Sequence, residues 1–394
     1  MEDVLILSAA RTPIGSFLGS LSSLSAPELG AVALKSALER GETPPHKVDQ
    51  VLLGNVLQAG IGQAPARQAT LGAGLPKATG AVTVHKVCGS GMRAIMDGAN
   101  SLRTGEYAVV LAGGMESMSN APYLLAKGRT GLRMGHAQLL DSMISDGLWD
   151  PYKNVHMGVC AEICAAKYAF TREAQDAYSY ESYQRARRAN DAGDFRAEMA
   201  SVTIEGKKGA VTIEKDEEPF ATPEEKLQKM GSLRPAFQKD GTVTAANSSK
   251  INDGAAALLL ASTAAAQELG AKPIARLVAQ ASHAQEPEWF TTAPAFAARK
   301  ALERAGMTLS QIDLFEVNEA FAVVAMAFIR DLDVDPNKVN VNGGAVALGH
   351  PIGSSGARIV TTLIHALRAR KKRYGLASIC IGGGEATAVV VEAL

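Results

Sequence analysis

Thr83-Val84-His85-Lys86-Val87-Cys88-Gly89-Ser90-Gly91-Met92-Arg93-Ala94-Ile95 is the stretch that decides how this chain is read. It opens on β-branched residues, passes through a turn of small ones and continues as a helix to about Leu102. Cys88 therefore sits where a strand hands over to a helix, beside unpaired backbone N–H groups and the positive end of the helix dipole. That setting stabilises a thiolate, so a lowered pKa and a good nucleophile at neutral pH are expected. A lone cysteine is more often a buried structural residue. Gly89, Ser90 and Gly91 weigh against that here, because three small residues beside the sulfur leave room for a substrate.

The chain is 394 residues long, more than one ordinary core fills, and predicts two or three domains. Forty basic residues balance forty acidic ones, so nothing draws nucleic acid or a membrane surface. The longest apolar runs, near 255–266 and 320–329, are too short to span a bilayer. Val4-Leu5-Ile6-Leu7 reads as a strand at once, so no signal or transit peptide is expected. Four cysteines without paired spacing argue for a reducing, cytoplasmic setting and no disulfide framework. Cys160 and Cys164, four apart on a helix, read as two packed thiols rather than a metal pair. Gly60-Ile61-Gly62 enters a helix but lacks dinucleotide or phosphate-loop spacing, so no cofactor and no metal are expected.

The last third of the chain repeats the first. Ala37-Leu38-Glu39-Arg40 recurs as Ala301-Leu302-Glu303-Arg304 at an offset of 264, where Val48-Asp49 also meets Ile312-Asp313. At 265, Ser90-Gly91-Met92-Arg93 matches Ser355-Gly356-Ala357-Arg358, and Leu102-Arg103 matches Leu367-Arg368. Matches in order at a nearly constant offset mean two related α/β halves with alternating strands and helices. We place one half at 1–118 plus a returning strand and helix at 250–269, and the other at 270–394. Residues 119–249 have no counterpart and read as an inserted loop domain that caps a site or makes an oligomer contact.

Three further constellations lie in the second half: Asn318-Glu319-Ala320-Phe321, Gly349-His350-Pro351 and Cys380-Ile381-Gly382-Gly383-Gly384. A lone histidine is usually structural, yet His350 leads into the repeat's counterpart of the Cys88 helix. Across a pseudo-twofold seam those elements can face each other where pockets form. A cysteine to be acylated, a histidine to deprotonate it, a second cysteine and a glycine-rich backbone amount to an acyl-transfer site.

With Val87-Cys88-Gly89-Ser90-Gly91, Gly113-Gly114-Met115-Glu116-Ser117-Met118 and these three motifs in order, the chain resembles the thiolase family over essentially its full length. Within it the likeness is to the acetoacetyl-CoA thiolases. The resemblance implies two five-layered α-β-α-β-α halves with an inserted loop domain, assembled as a homotetramer. It implies an acyltransferase that condenses two acetyl-CoA into acetoacetyl-CoA and CoA, with Cys88 acylated, His350 its base and Cys380 the base for the second acetyl-CoA. Cys88 and Gly382 N–H groups would form one oxyanion hole, and His350 with an Asn318-held water the other. His156-Met157-Gly158 resembles the loop that narrows the acyl pocket, with Leu148, Met157 and Phe321 lining it. Ser249 matches a contact to the pantetheine arm, and Lys226 lies where relatives place a CoA contact.

The chain departs from the family in several places. His85 replaces the usual Asn, Ser or Thr three residues before the nucleophile, where it either perturbs Cys88 or is a polar structural substitute. Pro219 follows Asp216-Glu217-Glu218 where potassium-binding relatives have Tyr, and Phe290-Thr291 stands where relatives linked to branched substrates have Phe-Pro. Ala386 stands where Gly is usual after the C-terminal triplet. Two rival readings remain: a degradative 3-ketoacyl-CoA thiolase of broad chain length, which His156-Met157 opposes, and a non-catalytic acyl-CoA-binding relative, which needs no nucleophile.

Overall fold

The structure, a computed structural model, describes residues 3–207 and 209–394. The first two residues assigned to the N-terminal half, and Lys208 of the insertion, lie outside it. The first half runs β1 (Val4–Arg11), α1 (Ala26–Arg40), β2 (Gln50–Gly54), α2 (Pro65–Gly72), β3 (Gly80–Val84), α3 (Ser90–Arg103) and β4 (Val109–Ser117). The insertion carries α4 (Met157–Tyr168) and α5 (Arg172–Ala192), and the chain returns as β5 (Asn252–Ser262). The second half runs β6 (Ala275–Ala284), α6 (Ala293–Ala305), β7 (Leu314–Val317), α7 (Ala322–Leu332), α8 (Ser355–Ala369), β8 (Tyr374–Ile381) and β9 (Glu385–Ala393).

The strands join in the order β7-β8-β9-β6-β1-β5-β4-β2-β3. Its centre is the antiparallel pairing of β1 with β6, Val4 opposite Leu277. Outward from β1 come two antiparallel neighbours, β5 and β4, then parallel β2 and β3. Outward from β6 come antiparallel β9 and β8, parallel β7, and Val339 bridging parallel to Phe315. The same pairing is built twice. Even the register shifts correspond, between Ile6 and Ser8 in one half and between Leu277 and Ala279 in the other.

The strands carry apolar side chains on both faces, as strands covered on two sides must. In β5, Ala256, Leu258 and Leu260 join one buried cluster, and Ala255, Ala257 and Leu259 another. The first cluster also holds α3 and α8 together with Ile379 and Val389 from the second half. The outer face of the first half packs on α1 and α2, and that of the second on α4, α6 and α7. The layers are thus helix, sheet, helix pair, sheet, helix. At the centre α3 and α8 cross on glycines equivalent in the repeat. A Cβ on Gly91 would stand 2.9 Å from Ala357 N, and one on Gly356 would stand 2.5 Å from Met92 N.

Local signals explain the element ends. Glu28 reaches back to the Ser25 N–H at 2.8 Å, fixing the start of α1. Alternation predicts strand up to Val87, but β3 stops at Val84. Val87 instead adopts φ +43°, and Ser90 Oγ accepts from Lys86 N–H at 2.8 Å, which turns the chain early. Cys380 lies inside β8 rather than after it, opposite Ala386 of β9.

The insertion is tied to the second half by buried Glu319. Its carboxylate accepts from Tyr178 and Ser182 of α5, each at 2.8 Å, from Asn340 at 2.7 Å and from Val346 N–H at 3.1 Å. No helix among the described residues is long and apolar enough to cross a membrane.

Candidate active site

Cys88 occupies a strained turn. A β-branched residue with positive φ is a costly conformation, and Val87 is held there by Ser90, whose hydroxyl donates to the Val87 carbonyl at 2.6 Å. Glycine follows the nucleophile, where a Cβ would fall 2.3 Å from Ile381 Cδ1 and force that side chain to shift. The turn thereby presses the sulfur against the end of β8. Backbone N–H groups of Gly382 and Cys88 itself stabilise a thiolate, yet burial outweighs them and pushes the thiol up to about 12. The lowered pKa expected from the helix terminus is therefore corrected: at rest the sulfur is protonated.

His350 belongs to the opposite half. Gly349, at φ +103°, brings its backbone against Asn252, whose Oδ1 accepts the His350 N–H at 3.0 Å. Ser355 Oγ donates to the Pro351 carbonyl at 2.9 Å, so its lone pair accepts the ring Nδ1–H at 2.6 Å. That assigns the tautomer and leaves Nε2 unprotonated, accepting a long hydrogen bond from Asn318 Nδ2 at 3.5 Å. Burial, then the charge of Arg358, lowers the imidazole to about 3. It is a neutral base.

Cys380 is buried behind the cavity. Burial raises its pKa, the neighbouring Cys88 sulfur raises it further, and its own N–H, Asn318 and Ala320 pull it back. Asn318 thus touches both His350 and Cys380, and its buried Oδ1 has no partner among the described residues. Glu116 braces the seam from the first half. It accepts from Asn55 Nδ2 at 2.7 Å and Val56 N–H at 3.0 Å, and from Gly353 N–H of the His350 loop at 2.9 Å.

Cys88, His350 and Gly382 open onto one cavity of about 240 Å³. Leu148, His156, Met157, Ser249 and Phe321 line it, as does Phe237. His156 caps α4 by accepting from Gly158 N–H at 3.0 Å and stacks on Phe237 with ring centres 4.7 Å apart. Phe237 meets Phe321 edge-on at 6.0 Å, and Phe290 closes on Phe321 at 6.3 Å. A Cβ on Gly158 would strike the Phe237 ring at 2.2 Å, so the wall depends on that glycine.

Residues 4–264 match the family model described as thiolase, N-terminal domain, and 271–393 match thiolase, C-terminal domain. The chain belongs to the thiolase family. It is 52% identical to the mitochondrial acetyl-CoA acetyltransferase of Rattus norvegicus, over all of this chain and 92% of that one. It is 50% identical to a cytosolic acetyl-CoA acetyltransferase of Gibberella zeae, over all of this chain and 99% of that one. The crystal structure of an Ascaris suum thiolase in complex with coenzyme A aligns over the whole of both chains with a TM-score of 0.94 at 47% identity.

Of the residues singled out in the sequence, Cys380 and Asn318 lie just outside the cavity lining of this thiolase, and two others stand apart from it. Lys226 is exposed on the one-turn helix Glu224–Leu227, outside the cavity lining. His85 is exposed beside the nucleophile turn. The Pro219 carbonyl accepts from Arg187 at 2.8 Å, and Glu385, one residue before Ala386, pairs with Lys86 ahead of the nucleophile. Sequence reasoning missed Ser355 and Phe237. Ser355 was visible as the repeat partner of Ser90, which orders the other catalytic turn, whereas Phe237 lies in the insertion and carries no repeat signal.

Proposed function

We infer that this thiolase joins two acetyl-CoA molecules into acetoacetyl-CoA and CoA, reversibly, through an acetyl-Cys88 intermediate. The observation that carries the reading is a neutral His350, unprotonated at Nε2, lining the same cavity as Cys88. As the Cys88 sulfur attacks the thioester carbonyl, its proton passes to His350. The carbon–sulfur bond to CoA then breaks, and CoA leaves as the thiol. Cys380 supplies the proton of that leaving thiol and, left as a thiolate, takes an α-proton from a second acetyl-CoA. The carbanion attacks the acetyl carbon, a carbon–carbon bond forms and Cys88 departs, taking its proton back from His350. Cys88 and Gly382 N–H groups hold the oxyanion of the first step, and His350 with an Asn318-bound water holds the enolate. Each oriented donor in such a site contributes roughly 3 kcal/mol.

The test compares acetyl-enzyme by intact-protein mass spectrometry with acetoacetyl-CoA formed in the same preparation. Cys88→Ala should lose both. Cys380→Ala should still be acetylated but lose condensation by about 10²–10⁴-fold, the usual weight of a general base. Normal condensation by folded Cys380→Ala protein would sink its assignment and leave a buried structural thiol.

We also propose a cytoplasmic homotetramer. One relative is cytosolic and another mitochondrial, and four free cysteines suit a reducing compartment.

A further inference from the structure

Lys250 is a partly buried cation that the mechanism above does not use, and it lines the same cavity as Cys88 and His350. It ends segment 244–250, which leads from the insertion into β5. Its ammonium donates to the carbonyls of Ala245 at 2.6 Å and Ser248 at 3.0 Å, and stands 5.7 Å from the centre of the Tyr183 ring. Among the described residues no backbone N–H donates to either carbonyl.

The rest of the segment has its own partners. Thr244 N–H goes to Asn247 Oδ1 at 2.7 Å, and the Ser248 hydroxyl to the Thr244 carbonyl at 2.7 Å. Ser249 N–H donates to the Ala320 carbonyl at 3.0 Å, and Ala322 N–H to the Asn247 carbonyl at 2.9 Å. These bonds lay Ser248 to Ile251 along the cavity wall beside Ala320, which follows Asn318 by two residues. What folds the segment back on itself is the point where the Ala245 and Ser248 carbonyls converge, and only a positively charged donor satisfies both strongly.

We propose that Lys250 is a positioning residue: its ammonium is an internal cation that closes segment 245–248 and so holds the Ser248–Ser249 wall against which the substrate lies. The inference rests on the reading of this cavity as the acetyl-CoA site. Burial lowers the ammonium's pKa to about 8 and the charge of Glu218 offsets part of that, so Lys250 still carries its proton at pH 7.

Two variants separate this role from plain packing. Lys250→Met keeps the length without the charge, and Lys250→Ala leaves space for a small cation. Both should lose roughly tenfold in kcat/KM for acetyl-CoA, mainly in KM, the scale of one lost charge-assisted hydrogen bond. Ammonium or methylammonium chloride should restore Lys250→Ala several-fold over sodium chloride of equal ionic strength, and should leave Lys250→Met and the wild type unchanged. Wild-type kinetics in both variants would overturn the proposal, and so would a loss in Lys250→Ala that neither cation restores. If Lys250→Ala fails to fold, thermal unfolding with and without the amines decides: stabilisation by the amines supports the proposal, and indifference overturns it. A wild-type protein that does not condense acetyl-CoA would instead overturn the reading of the cavity, so the two failures are distinct.

Discussion

With Cys88 raised to about 12, His350 lowered to about 3 and Cys380 raised as well, all three groups rest neutral at pH 7. Charge appears only as the sulfur bonds to carbon, where the Gly382 and Cys88 N–H groups already point. The buried imidazole has a consequence for stability. Its ordinary value is 6.5, so between that pH and about 3 the unfolded chain binds a proton that the folded chain refuses. Stability is therefore lost as pH falls through that window. The thermal midpoint should drop between about pH 7.5 and about pH 5, and His350→Asn should drop by less. An equal drop in both proteins would mean that other groups set the acid sensitivity. The error in the expected Cys88 pKa has the same origin: helix position is written in the sequence, whereas burial is set by residues distant in it, such as Met143 and Ile352, and Glu116 adds its charge.

Two elements control how the site is assembled, the α3–α8 crossing and the aromatic wall. Gly356 approaches Met92 N so closely that Gly356→Ala must push the helices apart, at a cost of about 1–3 kcal/mol. The same shift moves the Cys88 turn away from the His350 loop, so activity should fall further than stability alone requires. Denaturant unfolding beside kcat measures both, and unchanged values would show that the crossing is slack. The wall limits substrate length: with His156, Phe237 and Phe321 stacked around a cavity of about 240 Å³, a C4 3-ketoacyl-CoA should be cleaved far faster than a C10 one. Phe237→Ala should narrow that gap. Comparable kcat/KM for both lengths in the wild type would favour the broad-chain reading. The crossing was legible because a repeated Ser-Gly-x-Arg marks both helices. The wall was legible only in part, since His156-Met157 and Phe321 fall in motifs but Phe237 reaches them through tertiary packing.

At the scale of the molecule, the sheet stops at β3, whose outer edge is unpaired among the described residues and whose Val82 is 45% exposed. An open edge of that kind invites a second strand. The insertion carries exposed apolar side chains of its own, with Tyr123 65%, Met134 99% and Leu139 63% exposed. Apolar residues gathered so on one segment mark an interaction site. Two separate surfaces suit a dimer built through one and paired through the other, the common route to a tetramer with twofold symmetry. Sedimentation should therefore give a mass about four times the 41.2 kDa of one chain. Met134→Asp with Leu139→Asp should yield dimers that still condense acetyl-CoA, because neither residue lines the cavity. A wild-type monomer at micromolar concentration would overturn the assembly, and a doubly substituted protein that remains tetrameric would move the second contact elsewhere.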